Sequence, residues 1–227
     1  MTGLFHTSAQ ESPVSFDVGD VRCTKASVGP MDNNAYLLDA GGPVVLIDAA
    51  DDASRLLELI GERSLAAVIT THRHHDHVHA LAEIVRRTGA QTWAGAPDAE
   101  AIEQQTGVHS VPVWTGDQIE AGGIRLEVIG LVGHTPGSIA LVLRPGRGAG
   151  PVHIFTGDSL FPGGVGATDS ARQFSSLLDG VITEIFDRFD DETIINPGHG
   201  DSTTIGVERP QLEICSAWCW YSVYLSV

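Results

Sequence analysis

The sequence predicts a single layered α/β domain, and three observations carry that prediction. At 227 residues, with 42% apolar and 19% charged residues, the chain has the length and composition of one globular domain with a substantial core. Short apolar, β-branched segments alternate along it with amphipathic helical patterns. Four times an apolar segment runs out into a small-residue turn carrying His or Asp, and layered α/β folds build their sites on loops at one end of the sheet.

From the N-terminus, Val14–Val28 is strand-like but irregular. Asn33–Leu38 and Val44–Ile47, on either side of Gly41-Gly42, read as a β-hairpin. The second of these ends in Asp48, a carboxylate that is costly at the end of a buried strand unless it is paired. Asp48 reads equally as a turn or cap residue and as an acceptor that orients a ligand histidine. A helix follows near Ala53–Arg63, with Leu56, Leu57, Leu59 and Ile60 as its apolar face, and then a short strand, Leu65–Thr70.

That strand delivers Thr71-His72-Arg73-His74-His75-Asp76-His77-Val78-His79, a tract holding five of the chain's ten histidines. Its place between a strand and a helix sets it apart from a tag or a solvated low-complexity run. In an extended turn His72 and His74 share a face, so both can bind one ion. Asp76 and His77, where the helix begins, are candidates for a second ion beside it. The helical pattern Val78, Leu81, Val85 then stops at Gly89.

Pro97 suits the first position of another helix, with Asp98 and Glu100 favourable in its first turn and Gly107 near its end. Val108–Trp114 reads as a strand and the stretch from Gln118 to Ile129 as a hairpin. Gly133-His134-Thr135-Pro136-Gly137-Ser138 comes next, followed by strands Ile139–Leu143 and Val152–Thr156, the latter running into Gly157-Asp158. Ala171–Phe186 is the clearest amphipathic helix. The last strand, Thr193–Asn196, ends in Pro197-Gly198-His199-Gly200. His6, His75, His79, His109 and His153 lack a comparable setting and read as surface or packing residues. Residues 1–213 read as one domain, and 214–227, uncharged and rich in aromatics, as an atypical tail.

Thirteen basic residues against 29 acidic ones give a net charge of −16 with no Lys/Arg cluster. Phosphate backbones and anionic membranes attract positive charge, so nucleic-acid and membrane partners are disfavoured and a small-molecule substrate is expected. The first eight residues have neither the basic nor the apolar region of a secretory signal, and no apolar run is long enough to span a bilayer. A cytoplasmic location is the expectation. Cys23, Cys215 and Cys219 form neither a disulfide framework nor a thiolate metal motif.

Together, Thr71-His72-x-His74-x-Asp76-His77, Gly133-His134-Thr135-Pro136-Gly137-Ser138, Thr156-Gly157-Asp158 and Pro197-Gly198-His199-Gly200 resemble the ordered motifs of the metallo-β-lactamase fold hydrolases, and most of all the glyoxalase II branch. The resemblance implies a four-layer αββα sandwich of two mixed β-sheets flanked by helices. It implies two divalent metal ions, one held by His72, His74 and His134, the other by Asp76, His77 and His199, with Asp158 bridging. Zinc suits this thiolate-free N/O set best, with iron or manganese as alternatives. The implied reaction is hydrolysis of a thioester or related ester by metal-activated hydroxide, with Asp76 also orienting the nucleophile.

Glyoxalase II proper carries a longer C-terminal region whose basic residues bind glutathione, whereas 28 residues follow His199 here. The loop after Asp158, with Phe161, Gly163 and Gly164, is expected to border the substrate pocket. Arg172 and Asn33 are weaker candidates, better read as solvated surface. Persulfide dioxygenases resemble the chain too and would use a single iron on His72, His134 and Asp158. Their Gly-Arg-Thr-Asp run is Gly166-Ala167-Thr168-Asp169 here, without the arginine. Lactonase or β-lactamase activity on the same fold is a further alternative.

Overall fold

The computed structural model describes residues 4–146 and 149–212. Its first sheet has seven strands in sequence order: β1 (Val14–Val18), β2 (Val21–Val28), β3 (Asn33–Asp39), β4 (Val44–Ile47), β5 (Leu65–Thr70), β6 (Gln91–Gly95) and β7 (Val111–Val113). Strands β1 to β4 are joined by tight turns and pair antiparallel. From β4 to β7 the pairing is parallel, so each connection crosses over through helix. These crossovers are α1 (Ala53–Ile60), α2 (His75–Val78) with α3 (Leu81–Thr88), and α4 (Ala96–Thr106).

The second sheet contains β8 (Gln118–Ala121), β9 (Ile124–Gly130), β10 (Ile139–Leu143) and β11 (His153–Gly157). A small hairpin, β12 (Leu160–Phe161) with β13 (Gly164–Val165), and helix α5 (Ala171–Val181) lead to β14 (Ile194–Pro197) and β15 (Thr203–Thr204). The order is β15-β14-β11-β10-β9-β8, with β11 and β14 parallel and the other pairs antiparallel. Residues 205–212 are helical.

Alternation along the strands sorts the side chains into layers. Leu38, Val45, Ile47 and Ile69 of the first sheet meet Leu126, Val128, Leu141 and Phe155 of the second. Their neighbours Leu37, Leu46 and Val68 face outward onto Leu56, Ile60, Leu81, Ile84 and Ile102 of the crossover helices. On the far side Ile129, Ala140, Val142, Ile154 and Ile195 meet Leu177 and Val181 of α5. The result is the αββα sandwich, in which burial of each such side chain stabilises by about 1.5–3 kcal/mol.

Several elements differ from the sequence reading. The irregular Val14–Val28 stretch is two strands joined at Gly19-Asp20; Gly19 has φ 58°, and a Cβ there would overlap Pro145 O. Strand β6 was not anticipated: Gln91-Thr92-Trp93-Ala94-Gly95 lacks an apolar alternation, and it is held as a strand by its neighbours β5 and β7. A Cβ at Gly95 would overlap Gly137 O, so glycine there lets the His134 turn pack close. The helix from Val78 breaks at Ala80 into α2 and α3, and the long helix ending at Phe186 becomes a π-helical turn over Ile182–Phe186. No helix among the described residues is long and apolar enough to cross a membrane. Cys23 is buried, and burial pushes its thiol up to about 12. The 214–227 tail, with Cys215 and Cys219, lies outside the described residues.

His153 is a packing histidine. It is 2% exposed, its ring centroid is 5.0 Å from that of Phe16, and its Nδ1 accepts from Asn196 Nδ2 at 3.2 Å. Burial lowers its pKa to about 4. The unfolded chain, with an ordinary value of about 6.5, binds more protons between those limits, so stability is lost as pH falls through that window. Between pH 7 and pH 5 this one group should cost about 2 kcal/mol. The expected result is that His153→Phe loses less stability over that interval by this amount, read from urea unfolding at both pH values. Equal losses in the two proteins would refute it.

Candidate metal centre

The strand ends assemble the site. Asp48 follows β4, His72 follows β5, Asp158 follows β11 and His199 follows β14, all at the carboxyl ends of parallel strands. Strand β9 runs in the same direction as β11, because both are antiparallel to β10, so the His134 turn opens at that edge too. Ligand sites of open α/β sheets lie at this end.

Two groups of side chains converge there. The donor atoms of His72, His74 and His134 lie within 4.8 Å of one another, as do those of Asp76, His77 and His199. In the second group His199 Nε2 is 3.3 Å from Asp76 Oδ2 and 3.3 Å from His77 Nε2, and His77 Nε2 is 3.7 Å from Asp76 Oδ2. Four ligands set tetrahedrally at 2.0–2.1 Å from zinc stand about 3.3 Å apart, so this spacing suits one small cation. Asp158 faces both groups. Its Oδ1 is 3.3 Å from His77 Nε2, while its Oδ2 is 3.5 Å from His199 Nε2, 3.6 Å from His134 Nε2 and 4.0 Å from His72 Nε2.

The histidines are oriented from behind. Nδ1 of His134 donates to Ala167 O at 2.7 Å, and Nδ1 of His199 to Met31 O at 3.0 Å. A carbonyl can only accept, so Nδ1 carries a proton in both and Nε2 is the atom turned into the cluster. Nδ1 of His77 meets Asp48 Oδ2 at 2.9 Å, and Nδ1 of His72 meets Thr71 Oγ1 at 3.1 Å. Asp48 is 1% exposed and also accepts from Thr71 N–H and Thr71 Oγ1, both at 2.7 Å. Its φ of 59° is a left-handed conformation that Asp tolerates, so one residue is both the turn and the acceptor.

Charge at the site favours a cation. Burial lowers the pKa values of His72 and His74, which leaves both neutral and able to donate a lone pair. Burial acts the same way on His77, but the Asp48 and Asp158 carboxylates outweigh it and push His77 up to about 10. His199 is also raised: hydrogen bonding to Asp158 overcomes its burial. Asp158 is driven far below the usual carboxylate range, because His199 and His77 outweigh the cost of burying it. His72 Nε2 and His134 Nε2, by contrast, are buried without a hydrogen-bond partner among the described residues. Orphaned polar atoms of this kind are costly, and a cation would satisfy both. The donor set fits a metal.

Three supporting features escaped the sequence reading. Asp98, read there as a first-turn acid, is fully buried and accepts from Arg73 N–H and Gly137 N–H at 3.0 Å each, and from Thr135 Oγ1. It ties the turn carrying His72 and His74 to the turn carrying His134. At Gly198 a Cβ would overlap Asp158 Oδ1, which explains the glycine beside His199. Asn33 is 1% exposed rather than solvated, and its Nδ2 donates to Asp76 Oδ2 at 2.9 Å. A pair of asparagines opening an apolar strand was the only available signal. Arg172 is exposed, as expected.

In the loop after Asp158, the Phe161 ring centroid is 6.4 Å from that of His199. Gly163 N–H donates to Glu208 Oε2 at 2.6 Å, and Gly164 pairs with Phe161 in the small hairpin. His6, His79 and His109 pair with Asp201, Asp51 and Glu103, away from the donor groups, and His75 lies against His79.

An αββα sandwich with clustered His and Asp donors at its strand ends defines a class of metal-dependent hydrolases and related enzymes. The chain belongs to the Metallo-beta-lactamase superfamily, whose sequence profile matches residues 28–199. It is 31% identical over 195 residues to the hydroxyacylglutathione hydrolase GloC of Haemophilus influenzae, covering 78% of this chain and 89% of that one. Among solved structures it is similar to ETHE1 from Myxococcus xanthus, with a TM-score of 0.69 and 28% identity over 83% of this chain and 81% of that one. It is also similar to TTHA1623 in a di-iron-bound form, with a TM-score of 0.65 and 30% identity over 82% and 97% of the two chains.

Proposed function

We propose that this protein hydrolyses a thioester or related ester of a small molecule at a site for two divalent cations, as a hydroxyacylglutathione hydrolase does. The observation that carries the reading is the pair of orphaned, buried nitrogens His72 Nε2 and His134 Nε2, facing a second donor group at tetrahedral spacing. In this reading His72, His74 and His134 hold one cation, Asp76, His77 and His199 the other, and Asp158 is shared. Zinc is the first choice, with iron or manganese as alternatives. When bound, such cations lower the pKa of water towards about 7 and polarise a carbonyl.

The chain's own residues do the rest. Asp76 is half-buried at the mouth, and its carboxylate is held below the ordinary range: hydrogen bonding from Asn33 and the charge on His77 outweigh its burial. It is therefore ionised at neutral pH and can orient a water molecule by accepting a hydrogen bond from it. Asp48 and the Ala167 and Met31 carbonyls keep the ligand rings from turning. Phe161 supplies an apolar wall beside His199. A net charge of −16 accords with a small-molecule substrate rather than with nucleic acid or a membrane surface, and the reading places the protein in the cytoplasm.

A second reading, persulfide oxidation at one iron on His72, His134 and Asp158, leaves His74, Asp76, His77 and His199 without a purpose. The test is metal analysis of the purified protein together with assays on S-lactoylglutathione, a lactone, a β-lactam and, under oxygen, glutathione persulfide. Two ions per chain with thioester turnover is the expected outcome. Oxygen uptake by a one-iron protein that leaves S-lactoylglutathione intact would overturn it.

A further inference from the structure

We propose that the β2–β3 hairpin, through Asn33 and Lys25, sets how firmly the second cation position is held, independently of the first; this rests on the two-cation reading above. The hydrogen bonds that the hairpin makes to the site are one-sided. Asn33 Nδ2 donates to Asp76 Oδ2 at 2.9 Å and stands 3.5 Å from His77 Nε2 and 3.4 Å from His199 Nε2. One polar atom from each of the three second-site residues lies within 3.5 Å of this amide nitrogen. Asn33 thus restrains Asp76 and borders the space between the three donors.

The rest of the hairpin holds the loop that carries His199. Asn33 and His199 form a backbone bridge, and Asn34 N–H donates to Gly198 O at 2.7 Å. Asn34 Nδ2 donates to Pro197 O and Gly200 O at 2.9 Å each, and Tyr36 OH to Pro197 O at 2.6 Å. Lys25, fully buried, donates from Nζ to Gly200 O at 2.6 Å. Burying an ammonium is costly, and here the group is spent on a carbonyl next to a ligand. Among the described residues no side-chain hydrogen bond from Lys25, Asn33, Asn34 or Tyr36 reaches His72, His74 or His134. Those three are held instead by the Thr71, Asp98 and Ala167 contacts.

Asn33 and Lys25 are therefore positioning residues for one ion of the pair. The test uses the full chain, stripped with chelator and titrated with zinc and with cobalt(II). Its readouts are ions per chain, stepwise affinities against a competing chelator, and the cobalt absorption of each position. Asn33→Ala and Lys25→Met should bind the first ion as the parent does and the second about 10- to 100-fold more weakly. Asn33→Asp, which places a carboxylate among the same donors, should recover or exceed the parent's second-ion affinity. Asn33→Ala serves alone if Lys25→Met does not fold. Variants that keep wild-type affinity for the second ion, or weaken both ions equally, overturn the proposal while leaving the two-cation reading intact. A parent protein that takes up only one ion overturns both.

Discussion

Asp158→Asn should lose most of its bound metal and at least roughly 10³-fold in hydrolysis, the scale set by several kcal/mol of charge stabilisation. Asp158 faces both donor groups, within 3.3–4.0 Å of His77, His199, His134 and His72. The substitution keeps shape and removes charge, so packing around Gly198 is preserved while the electrostatics change. Asp158 also helps raise His77 and His199, and neutralising it lowers both. Elemental analysis together with kcat/KM on S-lactoylglutathione checks this. A variant with the parent's metal content and turnover would rule out the shared position assigned to Asp158.

Asp48→Ala should be the most destabilising single change near the site, by about 3–5 kcal/mol, the usual cost of removing one member of a buried charged pair. It would strand the Thr71 N–H, the Thr71 hydroxyl and the His77 Nδ1–H together, all of which end on this carboxylate. It would also force alanine into a φ of 59°. Asp48→Asn separates the two causes: asparagine tolerates the left-handed conformation and can still accept from Thr71, but loses the charge facing His77. The expected order of stability in urea unfolding is parent, then Asn, then Ala, with metal affinity about 10- to 100-fold lower in both variants. Alanine and parent unfolding at the same urea concentration would contradict this account.

The two predictions differ in how far the sequence anticipated them. Asp158 stood out because its surroundings, Thr156-Gly157-Asp158 after an apolar strand, are contiguous. The same holds for His72 and His74, whose spacing suggests a shared face, and for Asp76 and His77 at the start of the helix that follows. Asp48 remained balanced between turn and acceptor, since its partners Thr71 and His77 are 23 and 29 positions away. Asn33 was read as surface because nothing nearby in sequence shows that His199, 166 positions on, folds against it. Nothing in the sequence around Lys25 marks it, because its carbonyl partner lies 175 positions away. Strand β6 escaped for a related reason: the pairing that makes it a strand comes from β5 and β7, not from its own residues.

The sequence by itself determined the alternation of apolar strands and helices, the donor chemistry, and the placement of those donors in turns that follow strands. Period and residue type are local properties, and a metal-binding turn has to supply its ligands in a short span. Only the tertiary structure decided which donors face one another, which carboxylate lies between the two groups, and what holds the rings in place. Those outcomes depend on two sheets stacking so that the carboxyl ends of β4, β5, β11 and β14 meet at one edge. The contacts responsible are single hydrogen bonds between distant residues, and they acquire direction only once the core between the sheets has closed.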